Sequence, residues 1–394
     1  MSTTLLNDRD LHFLLYEFLN TAALLERPKY QEHNIDTLNS SLDTAKTIAE
    51  RYFANHNAKG DANEPVFDGE KVTLIPETKA AWDAFAQAGF LAAGAAYEDG
   101  GSQLPEIIVR SAMAYLNAAN IATAAYPFLT LGAANLIRTF GSLQQKEQFL
   151  SPMMTGRFAG TMALTEPNQG SALGDITTRA IQQNDGSYRV SGQKMFISGG
   201  DQSITENIIH LVLARVEGAP IGVKGISLFI VPKFLLNADQ SIGEKNDVAL
   251  SGLLHKMGYR NATSTVLNFG ERGGATGYLI GQENLGLKYM FQMMNEARIG
   301  VGLGAACLAY QGFNYSLDYA RQRPQGRLPS CRDPKTDQID LIQHADVRRM
   351  LLAQKSYCEG SLALCLYATS LFEDSNTADT EPERQRAATL LDLL

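Results

Sequence analysis

Apolar residues recur at three- and four-residue steps at the start of the chain. Leu11, Leu14, Leu15, Phe18 and Leu19 share one face and predict helix through residues 1–56. A Gly-, Asn-, Asp- and Pro-rich stretch from Asn57 to Pro76 then predicts a loop with one short strand at Lys71–Ile75. Helical spacing resumes at Glu77–Gly89, Pro105–Ala124 and Phe128–Phe149, with Tyr97–Pro105 as a turn-rich connection. The period changes near Thr177. Thr177–Gln182 and Ser187–Ser198 read as strands joined by the hairpin signal Asn184-Asp185-Gly186. Ile208–Ala214, Ile226–Val231 and Ser264–Phe269 are further strand-like runs, and short strands with no long helix between them point to an antiparallel sandwich or barrel.

From Glu283 the helical period returns. Leu287, Met290, Phe291, Met294, Val301, Ala305 and Leu308 mark the expected inward face of a helix reaching about Gln322. After a polar connection, Pro324–Asp340, a second helix would turn Val347, Met350, Leu351, Tyr357, Leu364 and Ala368 inward, and a third starts near Thr380. The chain stops on apolar Leu390–Leu394 without a glycine or basic cap, so it is expected to be cut there. The fold class is therefore α+β and multidomain. It comprises an N-terminal all-α domain (1–158), a middle antiparallel β domain (159–276) and an incomplete C-terminal helical bundle (277–394).

Composition adjusts this picture little. The 394 residues suit two or three domains, and 45% hydrophobic with 19% charged residues is not a disordered composition. A formal net charge of −8 argues against nucleic acid as a partner, although a local basic cluster could still hold a phosphorylated ligand. The N-terminus lacks the basic and apolar parts of a secretory leader, and the longest apolar run, Ile299–Tyr310, is too short for a membrane span. Four cysteines without a C-x-x-C pair read as reduced thiols, and the expected location is cytoplasmic. Six histidines lack ligand spacing, so no metal is expected.

Four short segments bear on chemistry. Gly300-Val-Gly302-Leu-Gly304-Ala305 matches the loosest dinucleotide fingerprint, but the residues before it are helical, so the glycines read as small residues in a helix contact. Thr161–Ser171 turns sharply through Thr165-Glu166-Pro167 and offers Gly170-Ser171. Exposed backbone there would suit a planar heterocycle, while a plain interdomain turn is the simpler reading of that segment alone. Gly192–Gly200 places Phe196 and Ser198 two residues apart on one strand face. Tyr319–Gly326 ends a long helix with Arg321 and Arg323, which could serve only the helix C-terminus.

Leu164-Thr-Glu-Pro with Gly170-Ser171, followed by Gly192-Gln-Lys-Met-Phe-Ile-Ser198, resembles the acyl-CoA dehydrogenase family of flavoproteins over almost the whole chain. Trp82–Gly89, Asp99–Pro105, Lys224–Pro232 and Asp346–Leu352 are similar to a long-chain-length subgroup that includes dehydrogenases of 3-(methylthio)propanoyl-CoA. The resemblance implies FAD as cofactor and oxidation of an acyl-CoA to the trans-2-enoyl-CoA. It also implies electron transfer to an electron-transfer flavoprotein and assembly as a homodimer or homotetramer. By the same resemblance, main-chain groups of Met162, Ala163, Leu164 and Thr165 would meet the flavin pyrimidine edge. Gly170 and Ser171 would lie near the FAD phosphates, and Ser171 near the acyl-CoA as well. Phe196 and Ile197 would lie at the ring, Phe196 covering it, with Ser198 near N5. Arg323 with Gln325 would pair with the pyrophosphate of a neighbouring subunit's FAD, and Arg298 would sit near the thioester end of the acyl chain.

Two departures stand out. Ala172 follows Gly170-Ser171 where the family usually has Asp, with Asp175 three residues on. The family's catalytic Glu is expected beyond Leu394. Where some members carry a base on the long helix this chain has Ala297, with Glu296 about 100° round the helix. A non-catalytic flavin- or CoA-binding protein and an oxygen-using acyl-CoA oxidase are the competing readings.

Overall fold

The change of period is visible in the structure, a computed structural model that describes residues 5–331 and 333–394. Met1–Thr4, on which the reading of the N-terminus partly rests, lie outside the described residues. The helices in chain order are α1 (Asp8–His12), α2 (Ile35–Ile48), α3 (Asn57–Ala62), α4 (Pro76–Gln87), α5 (Glu106–Phe140), α6 (Leu143–Gln145), α7 (Ser151–Met154), α8 (Gly286–Gln322), α9 (Ala345–Thr377) and α10 (Glu381–Leu393). The strands are β1 (Val66–Phe67), β2 (Val72–Thr73), β3 (Phe158–Ala163), β4 (Arg179–Gln182), β5 (Tyr188–Ser198), β6 (Asn207–Val216), β7 (Ile226–Pro232), β8 (Phe234–Leu236), β9 (Ile242–Lys245), β10 (Val248–Leu253), β11 (Ser264–Phe269) and β12 (Ala275–Leu279). By internal contacts the chain divides into two compact units.

One unit comprises Thr47–Gln103 and Asn120–Arg298. Its centre is an eight-stranded sheet in the order β10-β11-β5-β12-β7-β6-β3, with β4 pairing both β5 and β6. The sheet is antiparallel except where β3 and β4 run parallel to β6. Parallel neighbours need a long crossover, and the β4–β5 hairpin and its loops provide it between β3 and β6. Leu211, Leu213, Leu228 and Ile230 pack with Phe149, Met153, Phe158, Met290 and Met293 on one face. Val212, Ala214, Phe229 and Val231 pack with Val190, Ile197 and Leu267 on the other. Burial on both faces explains why Ile208–Ala214 is an unbroken apolar run rather than an alternating one. β1 and β2 form a two-residue ladder at the expected short strand.

The helix expected to break before Phe128 instead continues through Pro127, and the non-helical residue is Asn120 (φ −164°, ψ 87°). The Asn120 side chain accepts from the Thr123 N–H at 3.1 Å and donates to the Phe53 carbonyl, so it caps the restarted helix.

The other unit comprises the chain up to Lys46, Leu104–Ala119 and Ile299–Leu394. Here the buried Glu373 accepts from the Tyr30 hydroxyl and from the N–H groups of Glu106 and Ile107, capping α5. Arg27 ties in Asp374 at 2.6 Å and Thr377 at 2.7 Å. Gly300–Gly304 lies inside α8, as expected, and a Cβ on Gly302 would stand 3.4 Å from Cys365 Sγ of α9. The inward faces read from periodicity need correction. On α8, Leu303, Ala306, Cys307 and Tyr310 are buried while Val301, Ala305 and Leu308 are exposed. On α9, Leu351, Cys358, Leu362 and Leu366 are buried while Met350, Tyr357 and Leu364 are exposed. Both helices carry apolar residues on two faces, so spacing alone does not choose between them. Phe18 is also exposed, because Phe13–Phe18 is a π-helical turn, whose wider repeat carries it off the buried face. Phe291 is exposed as well.

Among the described residues no helix is long and apolar enough to cross a membrane, and no group of His, Cys, Asp and Glu could hold a metal. All four cysteines are free.

Candidate functional site

β3 is the last strand of its sheet, so one of its edges has no strand partner. On that edge the Gly160 N–H donates to Thr130 Oγ1 at 3.0 Å. Two residues per repeat along a strand aim the N–H groups of Met162 and Leu164 the same way. Among the described residues, the Leu164 and Thr165 N–H groups and the Thr165 hydroxyl have no hydrogen-bond partner. Ala163 is buried, while Met162, Leu164 and Thr165 are half-buried. The turn that follows is closed by paired Glu166 and Gln169. Beyond it Gly170 and Ser171 are exposed, and neither their N–H groups nor the Ser171 hydroxyl has a partner among the described residues.

This turn is joined to β5. Thr165 O accepts from the Met195 N–H at 2.9 Å. β5 is bulged there: Thr265 of β11 pairs with Ile197 but Leu267 pairs with Lys194, so β5 carries one extra residue. Phe196 occupies the bulge at φ +59°, a left-handed conformation costly for a bulky residue, and is 61% exposed. Such strain persists only where surrounding structure enforces it, and it clusters at functional sites. Ser198 is half-buried, and its hydroxyl has no partner among the described residues. The Ile197 side chain is buried among Val190, Val212 and Leu267, so only its backbone can face a ligand.

Sequence reasoning missed the pair that joins the two motifs. Lys194 and Glu166, 0% and 3% exposed, form an ion pair at 3.0 Å. Lys194 Nζ also donates to Leu164 O at 2.9 Å. The Glu166 carboxylate accepts from the N–H and hydroxyl groups of both Thr177 and Thr178, between 2.5 and 3.0 Å. Burial pushes Glu166 up, but the Lys194 charge and the hydrogen bonds from Thr178 and Thr177 outweigh it and hold the carboxyl down at about 2. Burial lowers the Lys194 ammonium to about 8 against the raising effect of Glu166. At neutral pH both are mainly charged. A signal existed in the sequence, because Lys194 falls in phase with Tyr188 and Val190 on the buried face of its strand, and a buried lysine needs a partner.

The remaining candidates lie elsewhere. Arg298 is exposed on α8 and donates to Asn295 Oδ1 at 2.7 Å. Glu296 is buried and accepts from Asn135 Nδ2 at 3.0 Å, a structural engagement. Arg323 and Gln325 belong to the other compact unit, both exposed, with Arg323 Nη2 3.5 Å from Gln325 Oε1. Their backbone is fixed by Gln325 N–H to Ile339 O and Leu341 N–H to Arg323 O, both at 2.9 Å.

Free main-chain donors, a free hydroxyl and an exposed aromatic ring on adjoining segments suit a planar, acceptor-rich ring. The chain belongs to the acyl-CoA dehydrogenase family: residues 36–157 match its N-terminal domain and residues 161–271 its middle domain. It is 36% identical over 379 residues to 3-methylmercaptopropionyl-CoA dehydrogenase of Ruegeria pomeroyi, covering 96% of this chain and 63% of that protein. It is also 36% identical over 379 residues to the broad-specificity linear acyl-CoA dehydrogenase of Mycobacterium tuberculosis, covering 95% and 62%. The chain thus spans less than two thirds of the length of these relatives. Its fold is similar to that of acyl-CoA dehydrogenase complexed with FAD from Bacillus anthracis, with a TM-score of 0.71 at 20% identity over 92% of this chain and 56% of that one.

Proposed function

We propose that this chain carries the FAD-facing part of an acyl-CoA dehydrogenase that converts an acyl-CoA thioester to its trans-2-enoyl-CoA. The observation that carries the reading is the set of unpartnered donors at Leu164 and Thr165 beside the strained Phe196. Bound FAD would supply a hydride acceptor for the substrate β-carbon. The N–H groups of Met162, Leu164 and Thr165 and the Thr165 hydroxyl hold the pyrimidine edge, with Ala163 as backbone between them. Phe196 covers the ring, Ile197 contributes backbone, and the Ser198 hydroxyl donates near N5. Gly170 and Ser171 offer N–H groups and a hydroxyl to the FAD phosphates, and Ser171 also to the acyl-CoA. Arg298 lies near the thioester end of the substrate, and Arg323 with Gln325 serves the pyrophosphate of a neighbouring subunit's FAD.

None of residues 1–394 is assigned as the base that removes the α-proton. Ala297 cannot act, and Glu296 is buried and engaged by Asn135. The base is therefore assigned to a glutamate outside these residues, and the isolated chain is expected to bind FAD yet turn over acyl-CoA weakly or not at all. On this reading the acyl group is a short thioether, 3-(methylthio)propanoyl, and an electron-transfer flavoprotein takes the electrons. The domains divide at 158 and 276, the assembly is a homodimer or homotetramer, and the location is cytoplasmic. Titration of the chain with FAD, followed by flavin fluorescence, tests the reading. Saturable binding weakened by Thr165→Val and Ser198→Ala is expected, and absence of binding overturns it.

A further inference from the structure

The Leu164 carbonyl and the Thr165 N–H are two ends of one peptide group. The carbonyl end receives a buried ammonium, Lys194 Nζ at 2.9 Å, and the N–H end has no partner among the described residues. A cation on a carbonyl draws electron density along the amide, so the N–H at the far end becomes a stronger donor. The geometry is well enforced. Lys194 is wholly buried, Glu166 accepts from it at 3.0 Å, and the threonine donors hold Glu166 in turn. The adjacent peptide is treated differently, since Thr165 O receives only the neutral Met195 N–H. One peptide of this turn is thus polarised by a charge, and it is the one that ends in an open donor.

We infer that Lys194 is a positioning residue that charges the Leu164–Thr165 peptide, making the Thr165 N–H the dominant main-chain donor to the flavin pyrimidine edge. The inference rests on the FAD reading above and deepens it. Glu166 has the supporting role of keeping the ammonium in place without neutralising its contact with the Leu164 carbonyl. A stronger donor at that edge favours the electron-rich reduced ring over the oxidised one, so the pair tunes the bound flavin as well as holding it.

The test compares the unaltered 394-residue chain with Glu166→Gln/Lys194→Met, which removes both charges together and leaves no buried ion unpaired. We expect the double variant to keep the far-ultraviolet dichroism of the parent. Its FAD affinity should fall about tenfold, the scale of a lost charge-assisted hydrogen bond, and the two-electron potential of the flavin it binds should become more negative. Glu166→Gln alone removes the counter-ion that keeps the buried lysine charged, so it should weaken FAD binding in the same direction as the double variant. A folded double variant matching the parent in both affinity and potential overturns the inference while leaving the FAD reading intact. An unaltered chain that binds no FAD overturns the FAD reading itself, and the inference with it. If the double variant does not fold, the unaltered chain is titrated with FAD, 2-thio-FAD and 4-thio-FAD. Weaker binding of at least one thio analogue is expected, because sulfur is a poor acceptor for a strong N–H donor, and equal affinity for all three overturns the inference.

Discussion

The β3–β5 region and the long helices α8 and α9 spend their unusual residues in opposite ways. Around β3 and β5 the apolar side chains other than Phe196 are largely covered on both faces of the sheet, and the buried Lys194 is ion-paired with Glu166. What stays unpaired there is a short row of backbone donors and hydroxyls. On the helices the polar groups are ordinary, while Val301, Leu308, Tyr315, Met350, Tyr357 and Leu364 are exposed, with Tyr357 at 77%. Seven residues separate successive members within each helix, so each set lies along one seam. Unpaired donors point to a ligand with acceptors, whereas an uncovered apolar seam says only that its residues contribute little to this fold.

The sharpest way to break the comparison is to remove the charge at the sheet. Lys194→Met leaves the Glu166 carboxylate buried without its cation and should cost about 3–5 kcal/mol in urea unfolding. A loss below about 1 kcal/mol would place that region in the same class as the exposed helix faces. Within α9 the contrast can be measured directly. Leu366→Ala, at a wholly buried position, should cost about 2–5 kcal/mol, while Tyr357→Ser on the exposed seam should stay within about 0.5 kcal/mol.

Acid should act through the sheet and not the seams. His210 of β6 is buried with Nδ1 against the Thr161 hydroxyl at 2.8 Å, and burial, reinforced by the Lys233 charge, pushes its imidazole down to about 3 from 6.5. The unfolded chain therefore binds a proton that the folded chain refuses. Stability should fall as pH drops below about 6.5 and continue falling towards 3, by at most about 1.4 kcal/mol per pH unit. Glu166 adds to this lower down, since its contribution is complete above its ordinary 4.5 and is lost as pH falls to about 2. Urea midpoints at pH 7 and pH 5 read the histidine, and His210→Gln should shrink the difference between them. The smallest effect concerns strain. Phe196→Gly removes a bulky residue from positive φ and should stabilise the FAD-free chain by about 1 kcal/mol while weakening FAD binding. A destabilised variant would mean that the bulge is held by packing of the ring.

How much could be read in advance follows the same contrast. The strand runs at Ser264–Phe269 and Ile226–Val231 were legible because β-branched apolar residues end at clear turn signals, and Gly186 at φ +83° closes the expected hairpin. The β12 strand Ala275–Leu279 was not, since two of its five residues are small and it borders a glycine-rich turn. The parallel pairing of β3 with β6 was also hidden, because it depends on a partner more than forty residues away. At the site, the motif residues were visible but their geometry was not. A bulge at Phe196 depends on register with β11, and the Lys194–Glu166 pair joins positions 28 residues apart. The inward faces of α8 and α9 failed for a simpler reason, two apolar stripes on one helix.

Hydrogen–deuterium exchange of the 394-residue chain with and without FAD reads whether residues 162–165 and 196–198 form the edge that meets FAD. Exchange in both segments should slow on FAD addition, with the N–H groups of Leu164 and Thr165 among those protected. FAD binding that leaves exchange in both segments unchanged would contradict that assignment.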